Sequence, residues 1–407
     1  MKQLKLSMTT KIMLAVILGV LFGVLSNGDL KSLKLIGDIF LRLIQMAIIL
    51  LVMGQIIEAV GSLNSKELSR RGLKTIGIFL WTSFLAALFG IIIGYWLKPG
   101  VGNYLDTLTN GVEIETNAIG TASDVILNFF SPNVIQSMAE GSIAQIIIFS
   151  VLFGMAMSMV RHESGAQKVL DLIKEFNKII LKLVLMVMTM APIGIFALIA
   201  STIGKLGMGV IMPLLKYLGA YGLATVIFLI VFTLYVSITC QIKLAKLVRG
   251  MFEMSVVALA TTSSAITLPT AMKDAKEKLG ISERVSKFVL PLGMTLNSNG
   301  AAMHMAITVI TIAQIYGVEY SLVQYILIAV LSMLVSLSNA VVPGAGLVSM
   351  AIIIPQMGLP LESIAIFAGV EWFVGMLRTI LNVDSDVYTA LLVAKSEGDI
   401  DYSVYDE

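Results

Sequence analysis

Arg378, Asn382 and Asp386 follow one another at intervals of four residues, and Glu371 precedes the arginine by seven. At 3.6 residues per helical turn these intervals place all four on one face. The opposite face of the same segment (Ile366, Phe373, Ile380, Val387, Leu391) is apolar. A guanidinium in such a setting can hold a carboxylate through two parallel N–H bonds. The bland alternative for Arg378 is a structural ion pair with Glu371 or Asp386. Asp384 falls off the stripe and is expected in the wet end of the helix.

Three further places concentrate polar or helix-breaking residues. They are Thr261–Pro269 (TTSSAITLP), Leu290–Ala302 (LPLGMTLNSNGAA) and Ser336–Gly346 (SLSNAVVPGAG). Any one of them alone could serve helix packing. Two are hairpin tips in corresponding positions, each followed by a span with polar breaks. That is the layout of inverted repeats whose broken elements meet near the bilayer midplane. Helix ends exposed there offer N–H groups to anions and carbonyls to cations.

The elements that must carry these residues are set by composition. The chain has 407 residues, 57% hydrophobic and only 13% charged, about half the ~25% charged of soluble domains. Too few charges remain to cover a soluble core, and the chain is too apolar for disorder. A net charge of only +2 argues against nucleic acid as a partner. The single cysteine, Cys240, forbids an internal disulfide, and His162 and His304 leave no His/Cys metal cluster. The chain reads as an all-α polytopic membrane protein. No small-residue cleavage site closes the first apolar run, so no signal peptide is expected.

Apolar segments near ~20 residues predict eight spans, at 11–27, 36–62, 75–97, 142–160, 178–203, 217–240, 286–316 and 361–394. Residues 125–139 are apolar but short. Residues 252–272 and 322–356 are interrupted and read as re-entrant helical hairpins. With a cytoplasmic N-terminus, 21 of the 28 Lys and Arg fall inside. Lys31, Lys34, Lys98, Lys205 and Lys216 fall outside, and Arg42 and Arg378 lie within spans. The basic runs Lys243–Arg249 and Lys273–Lys287 flank the first hairpin. Only a segment that enters and leaves by the same face keeps both in the cytoplasm. Both termini are therefore expected there, in the plasma (inner) membrane. Residues 98–124 read as an external loop and Ser396–Glu407 as a short acidic tail.

On these motifs the chain resembles the dicarboxylate/amino acid:cation symporters, the glutamate-transporter homologues, along essentially its whole length. The resemblance is carried by Leu41–Ile57, by Ser263, Ser264, Thr267, Leu268 and Pro269, by Pro291–Gly300, by Val342–Gly346 (VPGAG) and by Arg378–Asp386 (RTxxNVxxD). It implies a homotrimer of elevator-type transporters. Residues 1–72 and 98–215 would form the scaffold. Residues 73–97 and 216–395 would form the transport domain, with 396–407 a cytoplasmic tail and the second hairpin an external gate. It implies a substrate site of Arg378, Thr379, Asn382, Ser263, Ser264, Ser298, Gly344, Ala345 and Gly346. It also implies a sodium site of Gly293, Asn297, Asn382 and Asp386, and a second of Thr295, Ser336, Leu337 and Asn339. A third resembles Thr82, Ser83 and Asn297.

Departures from the pattern bear on substrate and coupling. Asn299 stands where the family carries an aspartate at the third cation site, Ser298 where it has methionine and Ala301 where it has threonine. Fewer coupled sodium ions than three, or a proton in place of one, are therefore expected. Gly375 stands where an aspartate commonly meets the substrate amino group, while Arg378 and its usual partner Glu371 are kept. The arginine without that aspartate is the pattern of C4-dicarboxylate members, whereas Asn297–Ala302 looks more like the serine/threonine members. The expected function is cation-coupled (Na⁺ or H⁺) symport of a small carboxylate or amino acid, with no organic cofactor. The alternative is a binding or channel-like membrane protein of the same fold. No carboxylate dyad or His/Ser constellation near the pocket supports an enzyme.

Overall fold

The computed structural model describes residues 8–26, 30–63, 70–102, 127, 130–160, 166–206, 211–337 and 345–405. Among them the regular structure is helical, with one isolated antiparallel bridge between Ile281 and Ile400. The helices are α1 (Met8–Ser26), α2 (Lys31–Gly61), α3 (Arg70–Leu97), α4 (Val134–Glu140), α5 (Ile143–Val160), α6 (Gln167–Thr189), α7 (Ala191–Leu206) and α8 (Ile211–Cys240). There follow α9 (Leu244–Thr261), α10 (Ser264–Glu277), α11 (Glu283–Leu296), α12 (Asn299–Ile315), α13 (Leu322–Ser336), α14 (Ala345–Gln356), α15 (Ile364–Ala368) and α16 (Glu371–Glu397).

Helix occupies each predicted span, but three of the spans are not continuous. Among the described residues three stretches, Gly72–Leu97, Ile143–Val160 and Met212–Cys240, are long and apolar enough to cross a membrane unaided. The predicted fifth span is α6 and α7, bent by 52° at Met190. The predicted eighth is Leu361–Ala368 followed by α16, with an 87° bend between them. The seventh is α11 and α12, parted at Asn297 and Ser298. Asn297 adopts an extended φ of −120° and ψ of 103°. Its amide N–H still donates to Gly293 O at 2.7 Å, so the break begins only after that bond. In α11 Pro291 has no N–H to give the carbonyl of Lys287, which weakens the turn before the break.

The first predicted hairpin is α9 and α10, longer at both ends than the interrupted stretch suggested. Thr262 turns the chain with a left-handed φ of 51°, a conformation a β-branched residue rarely adopts. Ser263 then caps α10 by accepting from Ile266 N at 3.4 Å, and Thr267 Oγ1 donates to Ser263 O at 2.9 Å. The arms of the second hairpin are α13 and α14. Its tip, with the predicted Asn339 and Gly344, lies outside the described residues.

Two packing groups emerge. Helix α1 lies along α7, and α2 lies against α5, α6 and α7. Helix α12 packs on α3, α13, α8, α14 and α16, while α16 is surrounded by α8, α9, α10, α11 and α12. From Asn299 to Ile315 every residue of α12 except Gln314 is buried. A helix with no polar face must be enclosed on all sides, and this one is the post around which the polar residues gather. Beyond α16 the chain is tied down. Arg284 Nη2 pairs with Asp399 Oδ2 at 2.6 Å, Tyr402 Oη donates to Cys240 O at 2.9 Å, and Tyr405 Oη donates to Leu279 O at 2.8 Å. The Asp399 partnership holds the Arg284 guanidinium above its usual range.

Candidate functional site

The four-residue stripe of α16 does face one way: Glu371, Asn382 and Asp386 meet other elements, while Arg378 pairs with Glu371 of the same helix. Arg378 Nη1 lies 2.9 Å from Glu371 Oε1, and both side chains are under a tenth exposed. The same Oε1 accepts from the backbone N–H of Gly346 at 3.1 Å. Glu371 therefore links the guanidinium to the start of α14. Its second oxygen, Oε2, is buried without a hydrogen-bond partner among the described residues. Ala345 opens α14 one residue earlier.

Asn382 accepts from Gly300 N at 2.8 Å, which fastens the first turn of α12 to α16. One turn on, Asp386 Oδ1 accepts from Asn297 Nδ2 at 2.8 Å. Gly293 closes this corner. A Cβ added there would stand 2.5 Å from Asp386 Oδ1, so only glycine lets α11 approach the carboxylate. Asn297 Oδ1 is buried and unpartnered among the described residues. An extended backbone at Asn297, a buried carboxylate and an orphaned amide oxygen fit an oxygen-coordinated monovalent cation. The residues in hand to hold one are Gly293, Asn297, Asn382 and Asp386.

Two of the residues expected at a third cation site, Thr82 and Ser83, meet Asn299. Ser83 Oγ donates to Asn299 Oδ1 at 2.7 Å, and Thr82 Oγ1 lies 3.4 Å from the same atom. Asn299 is wholly buried, and its Nδ2 has no hydrogen-bond partner among the described residues. A carboxylate there would present two acceptors; the amide presents one acceptor, already used, and a donor.

The second predicted cation site is only partly in view. Ser336 is buried with its hydroxyl bonded to Met333 O at 2.6 Å. Thr295 donates to Leu292 O at 2.8 Å. Thr295 and Leu337 line a cavity of about 420 Å³ between α2 and α11, with Gln55, Glu58 and Lys287. That cavity does not reach Arg378. Of the remaining substrate residues, Thr379 is buried and its hydroxyl bonds back to Gly375 O at 2.8 Å. Ser298 is buried at the break, Ser263 is spent on its cap, and Ser264 is half-buried beside it.

Asp384 corrects the expectation of a wet helix end. It is 5% exposed and accepts from Ser255 Oγ of α9 at 2.8 Å. The first hairpin arm covers it, which the α16 stripe alone could not reveal. Sequence reasoning also passed over Tyr217, Tyr221 and His304. Tyr221 Oη donates to Gly300 O at 3.0 Å, and Tyr217 Oη meets Thr308 Oγ1 at 2.9 Å. The available signal was Gly300 and His304 four residues apart on one apolar helix.

Residues 8–396 match the sodium:dicarboxylate symporter family, and the chain belongs to it. It is 32% identical to the proton/sodium-glutamate symport protein of Bacillus subtilis (strain 168) over 98% of this chain and 94% of that one. It is 31% identical to the proton/glutamate-aspartate symporter of Escherichia coli (strain K12), over 98% and 95%. It is 29% identical to the C4-dicarboxylate transport protein of Anaeromyxobacter sp. (strain K), over 98% and 92%.

Proposed function

We propose that this protein is a secondary active symporter that carries a small carboxylate, an acidic amino acid or a C4-dicarboxylate, inward with Na⁺, H⁺ or both. The observation that carries the reading is the buried Arg378. Its guanidinium is ion-paired with an internal carboxylate, Glu371, but Nη1 makes no hydrogen bond among the described residues, and a substrate carboxylate can replace Glu371 at Arg378 and the Gly346 N–H. Asp386 lies two turns beyond Arg378 on α16 and is bonded to Asn297 at the α11–α12 break, so cation and substrate would sit along one face of α16. The names of the three relatives point the same way.

The movement is of elevator type in a homotrimer. Residues 1–72 and 98–215 form the stationary scaffold, and residues 73–97 and 216–395 form the moving domain. The packing of α1 and α2 with α5–α7, and of α3 with α12, supports that division. The eight spans, the two re-entrant hairpins, both termini in the cytoplasm and a plasma-membrane location complete the reading. The absence of an aspartate at Gly375 favours a substrate without an α-amino group.

Proteoliposome uptake tests it, with radiolabelled succinate and L-glutamate under a sodium gradient, a proton gradient or neither. Uptake of at least one of them should require a cation gradient and vanish in Arg378→Ala. Because that change strands Glu371, the double variant with Glu371→Gln is run beside each single one. Uptake that persists in the double variant, or that needs no gradient, would sink the proposal. In a parallel thermal shift, ligand at ~100 times Kd should stabilise by roughly 2.7 kcal/mol.

A further inference from the structure

One buried ring beside Arg378 has no place in the mechanism so far. His304 is 1% exposed, and neither of its nitrogens has a hydrogen-bond partner among the described residues. A neutral imidazole carries one donor and one acceptor, and an imidazolium carries two donors. Buried groups of this kind are seldom left unmet. His304 follows Gly300 by four residues, so they share a face of α12, and a helical side chain leans over the turn before it. That turn has no side chain at Gly300. The Arg378 backbone occupies the space instead: a Cβ added at Gly300 would stand 2.9 Å from the Arg378 α-carbon.

Two tyrosines of α8 lie against the ring. The rings of Tyr221 and Tyr217 lie 5.7 and 6.3 Å from the imidazole, centre to centre. Their hydroxyls are engaged with Gly300 O and Thr308, so neither satisfies the histidine.

The charged groups around it are few. From α16 come Arg378 and Glu371, which form an ion pair at 2.9 Å. Further along that helix, Asp386 and Asp384 are bonded to Asn297 and Ser255. Helix α8 contributes the two tyrosines, and its Lys216 points outward to Val101 O. Helices α13 and α14 carry no charged residue, α15 presents Phe367, and the charges of α3 stand in its first turns.

Arg378 and Glu371 cancel, so without substrate a proton on His304 would be a buried and uncompensated positive charge. A substrate carboxylate at Arg378 adds one negative charge, and a proton on His304 then restores balance. We propose that His304 takes up a proton from solvent when a carboxylate binds at Arg378, and releases it when the carboxylate leaves. It is thus the proton-carrying group of a coupled carboxylate–proton movement. This deepens the symporter reading and rests on it. By linkage, each ligand raises the affinity for the other.

Calorimetric titration of the purified full chain with succinate and L-glutamate tests this, in sodium, from about pH 5.5 to 8. Buffers of differing ionisation heat count the protons. The wild type should take up about one proton per carboxylate, with affinity rising up to roughly tenfold per pH unit of acidification. His304→Gln and His304→Tyr should bind without proton uptake and with a flat profile. Proton uptake that survives in both variants, or none in the wild type, overturns the assignment. Failure of both carboxylates to bind at any pH overturns the underlying symporter reading instead, and is told apart from binding without protons.

Discussion

Two asparagines, two residues apart at one helix break, sit in pockets built from similar parts. Asn297 faces Asp386, with Gly293 close by. Asn299 faces Ser83 and Thr82. Both pockets are buried and both are rich in oxygen. They differ by one charge. At the first, an amide donates to a carboxylate and leaves its own oxygen free. At the second, an amide accepts from a hydroxyl and leaves its own nitrogen free. A cation entering the first meets an anion that repays part of its lost hydration. A cation entering the second meets a dipole and bears most of that cost itself. The two pockets thus offer a cation different electrostatics although both are buried and lined by oxygen.

The largest effect should come from removing the charge of the first pocket. Asp386→Asn keeps the size of the side chain and a hydrogen bond to Asn297 but leaves no anion in that corner. Apparent sodium affinity should fall by about 100-fold or more, the scale of a few kcal/mol for stripping one partner from a buried charge pair. Substrate affinity measured in sodium should fall with it. Thermal shifts in sodium against choline read this directly. A sodium-dependent shift equal to that of the wild type would remove Asp386 from the cation site.

Much of this comparison was legible in the residues. The intervals between Glu371, Arg378, Asn382 and Asp386 put them on one face, and their partners lie on that face. The interruption of the seventh span was expected from Gly293, Asn297, Asn299 and Gly300, and the break falls at Asn297–Ser298. Asp384 was not legible, because its burial depends on Ser255 of a hairpin arm 129 residues away, and periodicity within α16 says nothing of what packs on its flank. His304 was passed over for a similar reason. A histidine in an apolar helix becomes informative only once the rings of Tyr217 and Tyr221 are known to enclose it. The right-angled entry to α16 was hidden too, since Leu361–Ala368 is as apolar as the span it precedes.

The second pocket can be pushed the other way. Asn299→Asp restores a carboxylate that Ser83 and Thr82 are already placed to bond. Its position in the first turn of α12 favours a negative charge through the helix dipole. Without a cation the new charge is buried and uncompensated, and the variant should lose about 3 kcal/mol in choline. Sodium should recover most of that loss. The gap between melting temperatures in sodium and in choline should therefore be wider than in the wild type, and the sodium dependence of uptake steeper. An unchanged gap would show that the second pocket has lost more than its charge.

The smallest effect belongs to Ser83, and its value lies in how it changes with the background. In the wild type, Ser83→Ala removes a neutral hydrogen bond to Asn299 Oδ1. The cost should be about 1 kcal/mol of stability, equal in sodium and in choline. In the Asn299→Asp background the same hydroxyl would serve the carboxylate and the cation together. Ser83→Ala should then cost more, about 2 kcal/mol, because bonds to charged groups are worth more, and it should narrow the sodium–choline gap. The four proteins form a double-mutant cycle in each salt. Coupling between the two positions that is larger in sodium than in choline is the expected result. Equal coupling in both salts would mean that Ser83 supports the aspartate alone, and that no ion returns to the pocket.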